Sequence, residues 1–140
     1  MCPDRPTDQA RLVLLVDDTA SSAAALELVL SGMPAIAVRT FANGEAAWSF
    51  LGSAEGSAVR AVITDLDMPL INGLELIRRI RSSAVYAALP ILVVSGTTDP
   101  TEPQRALEAG ADAFFPKPWS PGRVCATLEH LLYEREPGQH

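Results

Sequence analysis

Cysteine is scarce in this chain: Cys2 and Cys125 stand far apart and have no third or fourth partner. That excludes a disulfide framework and a thiolate zinc site, and leaves the reduced thiols expected of a cytoplasmic protein. Histidine is equally sparse, and His130 and His140 lack ligand-spaced neighbours, so surface positions are expected for both. Positive charge is short too. Eleven Lys and Arg face seventeen Asp and Glu, a net charge of −6 with pI about 4.8. With no basic surplus to displace counterions, neither nucleic acid nor an anionic membrane is an expected partner. Long hydrophobic runs are missing as well: Leu12 to Val16, the strongest near the start, has the length of a strand and cannot span a bilayer. Met1 to Arg11 is polar, contains Pro3 and Pro6, and leads into no signal-peptide h-region. There is no internal repeat, no low-complexity stretch and no linker to a second domain.

What is present suits one globular domain of 140 residues, 48% hydrophobic and 20% charged. Short apolar or β-branched runs alternate five times with helical periodicity. The strand candidates are Arg11–Val16, Ala35–Phe41, Arg60–Thr64, Pro90–Ser95 and Ala111–Phe115. Four of them are near-continuous apolar runs, the pattern of strands buried on both faces of a parallel sheet. Between them, helical stripes are expected from Ala25, Leu28 and Val29; Ala47, Phe50 and Leu51; Leu76, Ile77 and Ile80; Ala106 and Leu107; and Val124, Leu128, Leu131 and Leu132. Asn43, Asn72, Asp99-Pro100 and Ser120-Pro121 supply helix starts, and Gly32, Gly52 and Gly110 supply ends.

Five β–α units predict a doubly wound (βα)5 α/β fold, a three-layer sandwich with right-handed crossovers. Polar residues choose the strand order. Strands one, three, four and five lead into Asp17-Asp18, Asp65, Ser95 and Lys117, whereas strand two ends in Thr40-Phe41-Ala42 and offers little chemistry. The flavodoxin-like order 2-1-3-4-5 puts strand two at an edge and brings the other four ends to the switch-point crevice, where open α/β sheets bind ligands.

The chemistry expected there follows from charge. Asp17, Asp18 and Asp65 would repel one another and need a cation, and hard oxygen donors of this kind suit magnesium, which keeps several of its waters. Lys117 brings the remaining positive charge. Ser95-Gly96 supplies a hydroxyl and an adjacent backbone N–H, a pairing that suits a tetrahedral anion such as a phosphoryl group. Singly, each of these residues reads as an ordinary turn or cap. Their joint position at four central strand ends makes a site the better reading.

Over about residues 10 to 133 the chain resembles the receiver (CheY-like response-regulator) domains of two-component phosphorelay signalling. The resemblance is carried by Leu14-Leu15-Val16-Asp17-Asp18, by Ile63-Thr64-Asp65-Leu66-Asp67-Met68-Pro69 with Asn72-Gly73, by Val94-Ser95-Gly96 and by Phe114-Phe115-Pro116-Lys117-Pro118. It implies a phosphoacceptor at Asp65 and magnesium held by Asp18 and Asp65, by Asp17 through water and by the backbone carbonyl of Asp67. Lys117 would pair with the acyl phosphate, Ser95 would turn its hydroxyl toward it, and Phe114 would occupy the aromatic switch position. A cis Lys117-Pro118 bond is common in such domains. Residues 1–9 and 134–140 are then polar tails.

The same resemblance implies a phosphoryl donor, either a sensor histidine kinase or a histidine phosphotransfer protein. It also implies a downstream effector protein bound at the fourth helix, fifth strand and fifth helix, near Arg105, Phe114 and Arg123. The domain would be a monomer or a phosphorylation-dependent dimer, and a stand-alone switch rather than an enzyme in the ordinary sense. Trp48 and Trp119 are candidate anchors, with partial burial the commoner outcome for tryptophan. Two departures stand out: Asp67 is an acid where many relatives carry an amide or apolar residue, and Phe114 lacks the hydroxyl some relatives have. Two other functions compete. Asp65-Leu66-Asp67 also resembles the nucleophile motif of haloacid-dehalogenase-type phosphatases, but those enzymes place acidic ligands downstream of the lysine, where this chain has only Glu129, Glu134 and Glu136. A non-phosphorylated adaptor would have no need of the intact acids, hydroxyl and lysine.

Overall fold

A computed structural model describes residues 11–66, 68, 71–96 and 99–134. Five strands, β1 (Arg11–Val16), β2 (Ile36–Phe41), β3 (Val59–Thr64), β4 (Ile91–Ser95) and β5 (Ala113–Pro116), alternate with five helices. The helices are α1 (Ala20–Ser31), α2 (Gly44–Leu51), α3 (Gly73–Ser82), α4 (Glu102–Ala109) and α5 (Pro121–Glu134), and a short 3-10 turn (Ala54–Ala58) precedes β3. All strand pairs are parallel and the order is β2-β1-β3-β4-β5, as expected.

The period of two in each strand divides the core. Leu14, Val16, Val62, Ile91 and Val93 face α2, α3 and α4, burying Ala47, Leu51, Leu76, Ile77, Ile80 and Ala106. Val13, Leu15, Ala61, Ile63, Leu92 and Val94 face the other way, onto Leu26 and Leu30 of α1 and Val124, Leu128, Leu131 and Leu132 of α5. Central strands therefore read as unbroken apolar runs, because side chains on both faces are covered. The edges do not: β2 is largely half-buried to exposed, and β5 is half-buried along most of its length.

Local chemistry sets most boundaries. Asn43 and Asn72 each accept a backbone N–H three residues on, at 2.8 and 2.9 Å, and so start α2 and α3. Asp99 accepts the Thr101 N–H at 2.9 Å and its hydroxyl at 2.8 Å, so the turn opens at Asp99 while α4 begins at Glu102. Ala35 has φ of 62°, which a strand cannot continue, so β2 starts one residue later than its composition indicates.

Two apolar stripes fall elsewhere than expected. In α1 the buried residues are Ala23, Leu26 and Leu30, while Ala25 is exposed and Leu28 is 76% exposed. Alanine, leucine and valine surround most of this helix, so periodicity does not select a face and docking onto the β1–β2 side of the sheet does. Leu107 is likewise 46% exposed beside a fully buried Ala106. The other three stripes lie on the core, with Phe50 half-buried. Trp48 and Trp119 are half-buried, each packed against one of the two core clusters.

Arg81, at the end of α3, ties the amino-terminal side of the sheet together. Its guanidinium donates to the carbonyls of Gly110, Leu89 and Ala87 and to Asp112 Oδ2, at 2.9, 2.7, 3.1 and 3.0 Å. Gly110 adopts φ of 124°, and a Cβ there would sit 2.6 Å from Arg81 Cγ, so glycine is required twice over.

Candidate phosphoacceptor site

Sheet register brings the site together. Val16 pairs with Thr64, so the next residues, Asp17 and Asp65, leave adjacent strands side by side. Asp65 N–H donates to Val16 O at 2.9 Å, and Asp17 N–H donates to Phe41 O at 3.0 Å. On the other side, Ser95 pairs with Pro116, and Lys117 N–H donates to Ser95 O at 2.9 Å. The Lys117 stem then crosses β4 toward the acids. A Cβ at Gly96 would stand 3.6 Å from Lys117 Cδ, already in contact, so anything larger than a methyl group would crowd that path. The Lys117-Pro118 bond is cis.

Lys117 Nζ lies 3.1 Å from Asp65 Oδ2 and 3.6 Å from Asp17 Oδ2. Asp17 and Asp65 are buried, whereas Asp18 is exposed beside them. The remaining oxygens of the buried pair are also engaged: Asp17 Oδ1 accepts the Thr19 N–H at 2.9 Å, and Asp65 Oδ1 accepts the Leu66 N–H at 2.6 Å. Burial works against the Lys117 ammonium, but the hydrogen bond and charge of Asp65, with those of Asp17, outweigh it and hold its pKa above the ordinary lysine value.

Asp17, Asp18 and Asp65 each offer a carboxylate oxygen within 4.8 Å of the others. Three formal negative charges meet one ammonium there. The donor set is hard, anionic and partly open to solvent through Asp18, so these residues fit a small divalent cation such as magnesium. Asp67, the other expected contributor, lies outside the described residues. Asp17 and Asp18 border a cleft of about 320 Å³ with Ala20, Ala23, Ala24, Glu27 and Thr40. Short alanine side chains keep this side of the acid pair open, a feature that sequence reading did not single out because alanine in a helix has no chemical signature.

The carboxyl ends of the strands converge in the expected order, and Ser95 at the end of β4 has a partner of its own. Ser95 is fully buried, and its hydroxyl donates to Glu102 Oε1 at 3.0 Å. The acceptor is thus an acid on α4, which sequence analysis passed over because acidic residues are common in first helical turns. Phe114 pairs with Val93 in the ladder and packs, half-buried, against the α2–α4 side of the core. Gly73 makes the α3 side of the site possible. Its N–H donates to Leu66 O at 3.0 Å, and a Cβ there would collide with the Asp65 backbone oxygen.

Comparison with known proteins agrees with this geometry. The family model "response regulator receiver domain" matches residues 13–129. A chemotaxis protein CheY homolog of Campylobacter jejuni is 32% identical over 120 residues, 86% of this chain and 91% of that protein. Among solved structures, a response regulator receiver protein from Pseudomonas putida has TM-score 0.76 at 37% identity, covering 86% of this chain and 96% of its own. The chemotaxis response regulator CheY4 of Vibrio cholerae has TM-score 0.75 at 28% identity, covering 86% and 98% respectively. The strand order, the acid cluster with its lysine, and these matches lead to one conclusion: the chain belongs to the response regulator receiver domain family.

Proposed function

We propose that this chain is a phosphoacceptor switch that takes a phosphoryl group on Asp65 from a histidine kinase or histidine phosphotransfer protein and signals through protein contacts. The observation that carries this is the Lys117 ammonium, 3.1 Å from Asp65 and 3.6 Å from Asp17, within a three-carboxylate cluster. A cation placed between the acceptor and a neighbouring acid lowers the cost of bringing further negative charge to the site.

In the forward step a carboxylate oxygen of Asp65 attacks phosphorus. The phosphorus–nitrogen bond of the donor phosphohistidine breaks and its electron pair returns to the imidazole, leaving an acyl phosphate on Asp65. Hydrolysis reverses the change: water attacks phosphorus, the acyl oxygen leaves as the Asp65 carboxylate, and inorganic phosphate and a proton are released. Asp17, Asp18, Asp65 and the Asp67 carbonyl would hold magnesium, which when bound supplies charge neutralisation for the transferring group. Lys117 pairs with the added phosphoryl oxygens, and the donor approaches from the exposed side of the cluster, at Asp18. On this account the chain turns over no substrate beyond its own phosphoryl group.

Output is assigned to the face of α4, β5 and α5. A cleft of about 600 Å³ there is bordered by Pro100, Pro103, Leu107, Phe114 and Pro116, and its half-exposed apolar residues suit an effector protein. Incubation with a small acyl phosphate and magnesium is expected to add one phosphoryl mass to intact protein, and the adduct is expected to vanish in Asp65→Asn. An equal adduct in that variant refutes the assignment.

A further inference from the structure

We propose that Glu102 is a positioning residue that holds Ser95 in the resting state and thereby sets how readily the site is occupied, an inference that rests on the phosphoacceptor assignment above. A serine hydroxyl carries one proton. In this structure that proton goes to Glu102 Oε1, at 3.0 Å, from a Ser95 side chain with no solvent exposure. Water therefore does not compete for it, and the acceptor is charged. An incoming phosphoryl group on Asp65 offers a second set of charged oxygens, and the hydroxyl can satisfy only one acceptor. Glu102 and the phosphoryl group are rivals for the same hydrogen bond.

Geometry makes the exchange feasible. The 3.0 Å separation exceeds the 2.5–2.7 Å typical of the strongest hydroxyl–carboxylate bonds. Glu102 is the first residue of α4 and half-buried, and it borders a cleft of about 400 Å³ with Leu66, Met68, Asn72, Leu74 and Arg105. A carboxylate released by Ser95 has space to rotate into, on a cleft also bordered by Arg105, whose guanidinium is paired with Asp99 at 3.4 Å. Because Glu102 opens α4, loss of its bond to the end of β4 also frees the helix that borders the proposed output face. One charge-assisted bond is replaced by another, so the resting and occupied states lie close in free energy, and removing Glu102 tilts the balance.

The test is a double-mutant cycle read by beryllofluoride binding in the presence of magnesium. Glu102→Gln keeps shape and a neutral acceptor, and is expected to tighten binding about threefold; Glu102→Ala is expected to tighten it about tenfold. In the Ser95→Ala background both substitutions are expected to do nothing. Equal tightening in both backgrounds shows that Glu102 acts only as a repelling charge, and no tightening in the Ser95 protein shows that it holds nothing back; either result overturns the proposal. A second readout is taken on the variant free of metal and ligand, with the beryllofluoride-bound wild type as its reference. Amide shifts of Ser95, Phe114 and α4 in the apo Glu102→Gln protein should move toward their beryllofluoride-bound positions, and shifts confined to neighbours of residue 102 count against the proposal. If wild type shows no magnesium-dependent binding while Asp65→Asn behaves identically, the phosphoacceptor assignment fails and this inference falls with it.

Discussion

Lys117 Nζ and Asp65 Oδ2 meet at 3.1 Å although 52 positions separate them in the chain. The contact exists because β5 lies beside β4 and β4 beside β3, so the lysine reaches across one strand to the acid. It joins the last strand of the sheet to the central acceptor strand, and several consequences can be measured.

Substitution of Lys117 by Met is expected to destabilise the apo protein at neutral pH by roughly 1–2 kcal/mol, since it leaves two buried carboxylates without their cation. The folded-state pKa of Lys117 is raised above its ordinary 10.5. Its stabilising contribution is therefore complete below about 10.5 and is lost as pH climbs through the folded value. Denaturant titrations should show a wild-type advantage that is constant from pH 6 to 9 and narrows only in strong alkali. A gap that closes near neutrality would contradict the pairing.

Asp18 faces solvent next to the two buried acids. Asp18→Ala is expected to weaken magnesium binding at least tenfold, measurable by calorimetry or by tryptophan fluorescence if Trp119 or Trp48 reports the change. The metal-free variant should melt roughly 1–3 °C higher, because one of three mutually repelling charges is gone. Unchanged magnesium affinity would mean that Asp18 is merely a turn residue.

Gly73 sits where a methyl group would strike the backbone oxygen of Asp65 and come within 2.8 Å of Leu66 Cα. Gly73→Ala is expected to cost about 1–3 kcal/mol through overpacking. Unlike an ordinary destabilising change, it should also slow acyl-phosphate formation at temperatures where the variant is fully folded, because the displaced atoms include the backbone oxygen of the acceptor residue. A variant that loses stability but phosphorylates at the wild-type rate would show that the Asp65 carboxylate is insulated from its own backbone.

The sequence alone determined the five β–α units, the strand order, the helix-starting roles of Asn43 and Asn72, and the gathering of Asp17, Asp18, Asp65 and Lys117 at the carboxyl end of the sheet. These are legible because each depends on a short-range rule: a period of two against 3.6, a capping oxygen three residues before its donor, a polar residue at the end of an apolar run. Tertiary structure decided the rest. The buried face of α1 is Ala23, Leu26 and Leu30 rather than the Leu28 side, since a helix apolar nearly all round takes its orientation from the sheet it meets. The clamp from Arg81 to Gly110 and Asp112 joins residues about thirty positions apart, and no local pattern marks it. Glu102 looks like any acid in a first helical turn until the end of β4 is set beside it. Which carboxylate a buried hydroxyl donates to depends on distances of about an ångström, and only packing in three dimensions sets them.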